Sequence, residues 1–290
     1  MCIKNCRLDD IQNFVLMICN SYGIDDIQCF ALICRSFYAI IPLKVGDDMK
    51  IKFLGTSFGA PSKDRHQQSI LIEANEEAYI FDTGAPVLDI LIKEDYDVSK
   101  IKAVFISHIH GDHLNGIFDM LNLCDYLNMN FTVYVSEQRV MELLNRYCEL
   151  QNCGIKSGRV RFSVIEEGWF YSDSLLNVCA FKTAHMNNGE IASFGFLIDD
   201  GKVRSCITGD LNASLDDLPE FLYSEHTDLL VTECAHFSAE SLFDKLKLCN
   251  SDAFAIIHVM PCDKYSQLKI LSESSSLKVY FPNDNEEIDL

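Results

Sequence analysis

Seven consecutive residues, Ser107-His108-Ile109-His110-Gly111-Asp112-His113, gather three imidazoles and a carboxylate. Such donors suit a divalent ion like zinc, which takes neutral imidazole nitrogen and carboxylate oxygen. In extended chain alternate residues point the same way, so His108 and His110 share one side. A turn after them lets Asp112 and His113 face a second ion. A single loop histidine is ordinarily a hydrogen-bonded polar residue, but three within six positions point to metal chemistry.

Metal ligands need stiff backbone behind them. The apolar run Ala103 to Ile106 reads as a buried strand, and Gly111 and Asn115-Gly116 suit a tight turn into a helix. The histidines therefore fall at a strand's carboxyl end. Upstream, Ile51 to Leu54, Ser69 to Glu73 and Ala78 to Phe81 read as an early β-meander, joined by the polar stretch Ser62 to Gln68 and by Asn75-Glu76-Glu77. Strands and helices then alternate. Val104 to Ser107 precedes a helix from about Leu114 to Tyr126, and Phe131 to Val135 precedes another from about Glu137 to Glu149. Val160 to Ile165, Leu176 to Thr183, Phe194 to Ile198 and Val203 to Thr208 return to strand. The last third repeats the rhythm: strand Asp228 to Thr232, a helix near Ala239 to Cys249, strand Ala253 to His258, a helix near Ser266 to Ser272, and strand Leu277 to Phe281. Strand-rich halves that each finish in helices suit two sheets face to face with helices outside.

Eight histidines occur in the whole chain, and two more of them fall at strand ends. His185 follows the strand ending Phe181-Lys182-Thr183-Ala184, and His258 ends the apolar strand Ala253 to Ile257. Between them, Ile207-Thr208-Gly209-Asp210 sets a carboxylate at a strand end behind a glycine. Each alone reads as structural. Together with the first cluster they read as one site.

His108-Ile109-His110-Gly111-Asp112-His113 resembles the HxHxDH signature of the metallo-β-lactamase superfamily. With Gly111, Gly116 and Phe53-Leu54-Gly55-Thr56 it is most similar to the ribonuclease Z and phosphodiesterase branch, from about Met49 to the C-terminus. The resemblance implies an α/β fold, a four-layer αββα sandwich with metals between the sheet edges. It implies two zinc ions, manganese or iron being compatible with the same ligands. His108, His110 and His185 would hold one ion, Asp112, His113 and His258 the other, and Asp210 would bridge them. That allocation is chemically sound, because a carboxylate can span two cations whereas an imidazole offers one lone pair. Water shared by the ions would be acidified from about 15.7 towards about 7, which gives the hydroxide nucleophile. Asp112 would orient that water or take its proton.

In Thr232-Glu233-Cys234-Ala235-His236 the resemblance implies a relay: His236 donates a proton to the leaving oxygen while Glu233 fixes its tautomer. The alternative is a salt-bridged pair at a helix start. Asp82, in Tyr79-Ile80-Phe81-Asp82-Thr83-Gly84, matches a motif whose carboxylate supports the histidines without touching metal; it also suits a plain Asp-Thr-Gly turn. Arg65-His66 and the sole tryptophan, Trp169, read as solvated loop residues rather than substrate contacts.

The chain departs from ribonuclease Z where that family carries a tRNA-binding arm. Between His185 and Asp210 stand only two strands and the turn Asp199-Asp200-Gly201. This absence argues against pre-tRNA cleavage and favours a smaller phosphodiester, a cyclic nucleotide or short oligonucleotide. The same site chemistry also allows a carboxylic ester, lactone or thioester hydrolase. A metal-bearing binding module without turnover is disfavoured by the complete ligand sets.

Acidic residues outnumber basic ones 43 to 24, a net charge of −19, so the surface repels long nucleic acid while cations in a cleft would still draw in a small anion. A 290-residue chain, 48% hydrophobic, can bury a large core, and a homodimer is allowed. The thirteen cysteines are odd in number, lack any Cys-x-x-Cys pair and lie in apolar segments, which reads as reduced thiols in the cytoplasm. No secretory signal is evident. Residues 1–48 read as a helical N-terminal extension, with apolar runs Ile11 to Cys19 and Ile27 to Ile41 too interrupted to span a membrane. Because Met49-Lys50-Ile51-Lys52-Phe53 looks like an ordinary start, the extension is open to being an upstream-start artefact. The hydrolase domain is then residues 49–290.

Overall fold

Alternation along the first strands builds two cores at once. In β1 (Lys50–Gly55), β2 (Ser69–Ala74), β3 (Glu77–Phe81) and β4 (Ile101–Phe105), one face carries Phe53, Ile70, Tyr79, Phe81 and Phe105. The other carries Leu54, Leu71, Ile80 and Val104. Both faces are buried, so the strands read as nearly continuous apolar runs. The computed structural model describes residues 49–186 and 189–290; the expected helical extension at 1–48 lies outside the described residues.

A first seven-stranded sheet runs β14-β1-β2-β3-β4-β5-β6, adding β5 (Phe131–Val135), β6 (Val160–Val164) and β14 (Glu287–Asp289). A second runs β13-β12-β11-β10-β9-β8-β7. Its strands are β7 (Gly168–Ser172), β8 (Asn177–Thr183), β9 (Ser193–Asp199), β10 (Arg204–Ile207), β11 (Thr227–Cys234), β12 (Ser251–Val259) and β13 (Val279–Tyr280). The inner faces meet in an aromatic core. Phe105 is fully buried, stacks on Phe81 at 4.8 Å and on Tyr134 at 5.1 Å, and meets Phe196 of the second sheet at 6.1 Å. Truncating such a side chain typically costs about 3–5 kcal/mol.

Helices cover both outer faces. α1 (Val87–Lys93), α2 (Gly111–Leu114), α3 (Ile117–Leu123) and α4 (Gln138–Gln151) pack on the first sheet; α5 (Ala239–Leu246) and α6 (Lys264–Glu273) pack on the second. The layers are therefore αββα, the four-layer α/β sandwich expected.

The departures are local. The helix expected from about Leu114 to Tyr126 begins earlier and breaks into α2 and α3 at Asn115-Gly116. There Gly116 N–H donates to Thr83 O at 2.7 Å, and a Cβ at Gly116 would stand 2.6 Å from that oxygen. Only glycine lets the two turns come so close. Helix α1 and strands β7 and β14 were not expected: Val87-Leu88-Asp89-Ile90-Leu91-Ile92 mixes β-branched and helix-forming residues, and β7 is half-buried throughout.

Candidate metal centre

Parallel pairing aligns the carboxyl ends of β3, β4 and β5 in one sheet and of β10, β11 and β12 in the other. Strand carboxyl ends are where open α/β sheets present ligand-binding loops. Asp82 follows β3, His108 to His113 follow β4, His185 follows β8, Asp210 follows β10, and Glu233 and His258 lie near the ends of β11 and β12. All seven expected ligands converge.

They do so in two groups around one carboxylate. His108 Nε2 stands 2.9 Å from His110 Nδ1, and His185 Nε2 stands 3.1 Å from the same nitrogen. Asp210 Oδ2 lies 3.8 Å from His108 Nε2 and 3.5 Å from His185 Nε2. On the other side, Asp112 Oδ2 is 3.4 Å from His113 Nε2 and 3.1 Å from His258 Nε2. Asp210 Oδ1 is 3.4 Å from His113 Nε2 and 3.7 Å from His258 Nδ1. The two oxygens of Asp210 thus face different histidine sets.

The donors fit cations better than they fit one another. His113 Nε2 and His258 Nδ1 are buried without a hydrogen-bond partner, although carboxylate oxygens stand nearby. Orphaned buried nitrogens are costly unless something else binds them. Each group, His108, His110, His185 and Asp210, or Asp112, His113 and His258, offers ligand atoms within 4.8 Å of one another.

The surrounding charge tunes these groups in opposite directions. Burial keeps His108 well below the usual imidazole range. Burial acts the same way on His113, but the charges of Asp210 and Asp82 outweigh it and lift His113 well above that range. Burial also opposes ionisation of Asp210, yet the facing imidazoles hold it well below the usual carboxylate range. Asp112 is likewise depressed, by its contacts with His113 and His258 against the cost of burial.

Asp82 stands behind this set. Its Oδ2 lies 2.7 Å from His113 Nδ1 and accepts from Ser107 Oγ at 3.0 Å, while Oδ1 accepts Ser107 N–H at 2.7 Å. The residue has φ of 60°, a left-handed conformation that costs energy and persists only where the surroundings enforce it. Gly209, at φ 62°, serves the same end for Asp210: a Cβ there would meet Phe194 O at 2.6 Å.

Glu233 and His236 form a pair at the edge of the centre. Glu233, 2% exposed, places both oxygens against His236 Nδ1, at 2.7 and 2.8 Å, and accepts the N–H groups of Leu211 and Ala235 at 2.8 Å each. Burial lowers the His236 pKa, but the Glu233 hydrogen bond and charge reverse the balance and raise it. The His236 ring lies 4.5 Å from that of His185.

Other residues at the site were not expected. Asp217 accepts Ala184 N–H at 2.7 Å and Asn212 N–H at 2.9 Å, tying the loop before His185 to the loop after Asp210. Asp284 accepts Thr56 N–H at 3.0 Å, and Thr56 O accepts His258 N–H at 2.9 Å. Arg65 is no solvated loop residue: it bonds Pro282 O at 2.8 Å and Asn283 Oδ1 at 2.9 Å, and lies over the Tyr265 ring. Trp169 is half-buried against the outer core of the second sheet. The described cysteines are free thiols, mostly buried, with Cys262 exposed. Among the described residues no helix is long and apolar enough to cross a membrane.

Residues 49–248 match the family model described as anti-Pycsar protein Apyc1. Among relatives, the ribonuclease Z of Crocosphaera subtropica is 26% identical over 179 residues, covering 61% of this chain and 56% of that one. The chain spans about half the length of the ribonucleases Z it matches. Among solved structures, the metallo-β-lactamase fold protein YhfI from Bacillus subtilis superposes with a TM-score of 0.69 at 18% identity, over 84% of this chain and all of that one. The short form of human tRNase Z gives 0.66 at 21% identity, over 83% of this chain and 98% of that one. These likenesses establish the fold.

Proposed function

Because the chain belongs to the Apyc1 family and has the metallo-β-lactamase fold, we propose that it is a dinuclear metal-dependent phosphodiesterase acting on a small phosphodiester. The observation that carries this reading is Asp210, whose two oxygens face separate histidine sets at 3.4–3.8 Å. His108, His110 and His185 would hold one ion and Asp112, His113 and His258 the other, with zinc preferred for hydrolysis and manganese or iron compatible. Divalent cations in those places would supply hydroxide at neutral pH and would neutralise charge on the phosphoryl oxygens.

The chain's own groups do the rest. Asp112, kept ionised beside His113 and His258, orients the attacking water. His236, its Nδ1 held by Glu233, has its other nitrogen available to protonate the departing oxygen. That donor matters for an alkoxide, a poor leaving group, and hardly at all for a thiolate. A small substrate with few phosphodiesters, such as a cyclic nucleotide or short oligonucleotide, suits a chain of net charge −19 better than a long nucleic acid does. The domain 49–290 is proposed to carry the whole activity, in the cytoplasm.

The test is a panel of bis(4-nitrophenyl) phosphate, cyclic nucleotides, a thioester and a lactone, with metal content measured on the same sample. Phosphodiester turnover that falls by about 10²-fold or more in His236→Ala for alkoxide leaving groups is expected. Preference for the thioester or lactone would overturn the assignment.

A further inference from the structure

Lys264 opens α6, directly after the turn that follows His258. A cation in the first turn of a helix faces the positive end of the peptide dipoles and is ordinarily disfavoured there. Its placement makes sense through what it binds. Nζ reaches across to the second sheet and donates to Cys234 O at 2.8 Å and Phe237 O at 2.7 Å. Those carbonyls bracket Ala235 and His236. Cys234 ends β11, and Phe237 precedes Ser238, the N-cap of α5. The lysine therefore ties the turn carrying His236 to the turn leaving His258.

The two supports of His236 act on different freedoms. Glu233 fixes the rotation and tautomer of the ring and, by accepting the N–H groups of Ala235 at 2.8 Å and His236 at 3.3 Å, the amide side of the turn; the carbonyls at its two ends, Cys234 O and Phe237 O, are left to Lys264. We infer that Lys264 is a second positioning residue for His236, beside Glu233: its paired hydrogen bonds hold the two ends of the Cys234–Phe237 turn so that the free ring nitrogen stays aimed at the leaving oxygen. The inference rests on the proton-donor role proposed for His236. A guanidinium could span the same two carbonyls, whereas methionine keeps the stem and loses both donors.

The experiment uses the metal-loaded full chain as wild type, Lys264→Met, Lys264→Gln and Lys264→Arg. Two readouts are taken: the ratio of kcat on a nucleoside 3′,5′-cyclic phosphate to kcat on bis(4-nitrophenyl) phosphate, and the solvent-exchange lifetime of the His236 Nδ1–H proton by NMR. Lys264→Met is expected to lower that ratio by about 100-fold, the scale of a displacement near 1 Å, and to shorten the proton lifetime. Lys264→Arg restores both, and Lys264→Gln, with one donor group, falls between. Should Lys264→Met fail to fold, the glutamine and arginine variants carry the comparison. A wild-type ratio and proton lifetime in folded Lys264→Met or Lys264→Gln would overturn the inference. If His236→Ala spares alkoxide turnover, the proton-donor reading falls instead, and the His236 proton lifetime still decides whether Lys264 holds the turn.

Discussion

The two halves of the centre are built on different principles. The His108–His113 half takes its donors from one turn, and buried Asp82 orients it through His113 and Ser107. The other half takes His185, Asp210 and His258 from three strand ends, and holds them by contacts between segments far apart in the chain. Asp217 joins the loops of His185 and Asp210, and Thr56 joins His258 to the Asp284 region. A contiguous cluster is organised once its strand and turn exist. A dispersed set is organised only when the whole sandwich has closed, so its stiffness depends on hydrogen bonds that no local pattern encodes.

Asp210 comes from the dispersed half but faces histidines of both, so Asp210→Asn breaks the comparison outright. An amide presents one acceptor oxygen and no charge, and both sets lose their shared anion. Metal content measured by mass spectrometry should fall from about two ions to less than one per chain. Activity should fall by at least about 10³-fold, since several kcal/mol of charge stabilisation are at stake and each 1.36 kcal/mol is tenfold. Retention of two ions would mean that the carboxylate does not bridge.

Smaller effects sharpen the contrast. Asp82→Asn keeps the shape but removes the charge behind His113, and should weaken metal binding about 10–100-fold, as outer partners of ligating histidines typically do. Asp217→Asn should cost less, about 10-fold at the lower end of that range, because β8 and β10 still position the loops. Competition with a chelator gives both affinities. Equal losses would mean that the dispersed half is held as tightly by one residue as the contiguous half is.

The same contrast explains what could be read from the sequence. The turn after β4 was legible because its donors are neighbours, and His185, Asp210 and His258 because each closes an apolar strand. The two-sheet arrangement followed from strand-rich halves that finish in helices. Asp217, Asp284 and Lys264 were not legible: each is a polar residue in an ordinary setting, and only tertiary approach gives it a partner. Asn115-Gly116 was legible as a turn, but the short helix α2 before it was not, since the approach of Gly116 to Thr83 joins two different turns. Arg65 looked solvated because Ser62 to Gln68 is polar, and its partners Pro282 and Asn283 come from the far end of the chain.

The smallest effect separates the sandwich from its centre. Asp173 clasps the two sheets without touching any of the histidines: Oδ2 accepts from Tyr79 Oη at 2.6 Å in the first sheet and from Tyr171 Oη at 2.7 Å in the second. Oδ1 accepts the N–H groups of Leu175 and Leu176 at 2.8 and 3.0 Å. Burial alone would raise its pKa, but these hydrogen bonds outweigh burial and lower it. A carboxylate with a folded pKa below its unfolded value stabilises the fold above the unfolded value, near 3.9, and loses that contribution as pH falls through the folded one. Asp173→Asn should therefore be less stable than wild type by about 1–3 kcal/mol at pH 7, and the gap should narrow below about pH 4. The gap between urea midpoints is the readout, because acid-driven metal loss affects both proteins alike. Metal content at pH 7 should not change. A gap constant with pH would show that the charge on Asp173 is irrelevant, and lost metal would show that the centre depends on the sandwich core as closely as on its own loops.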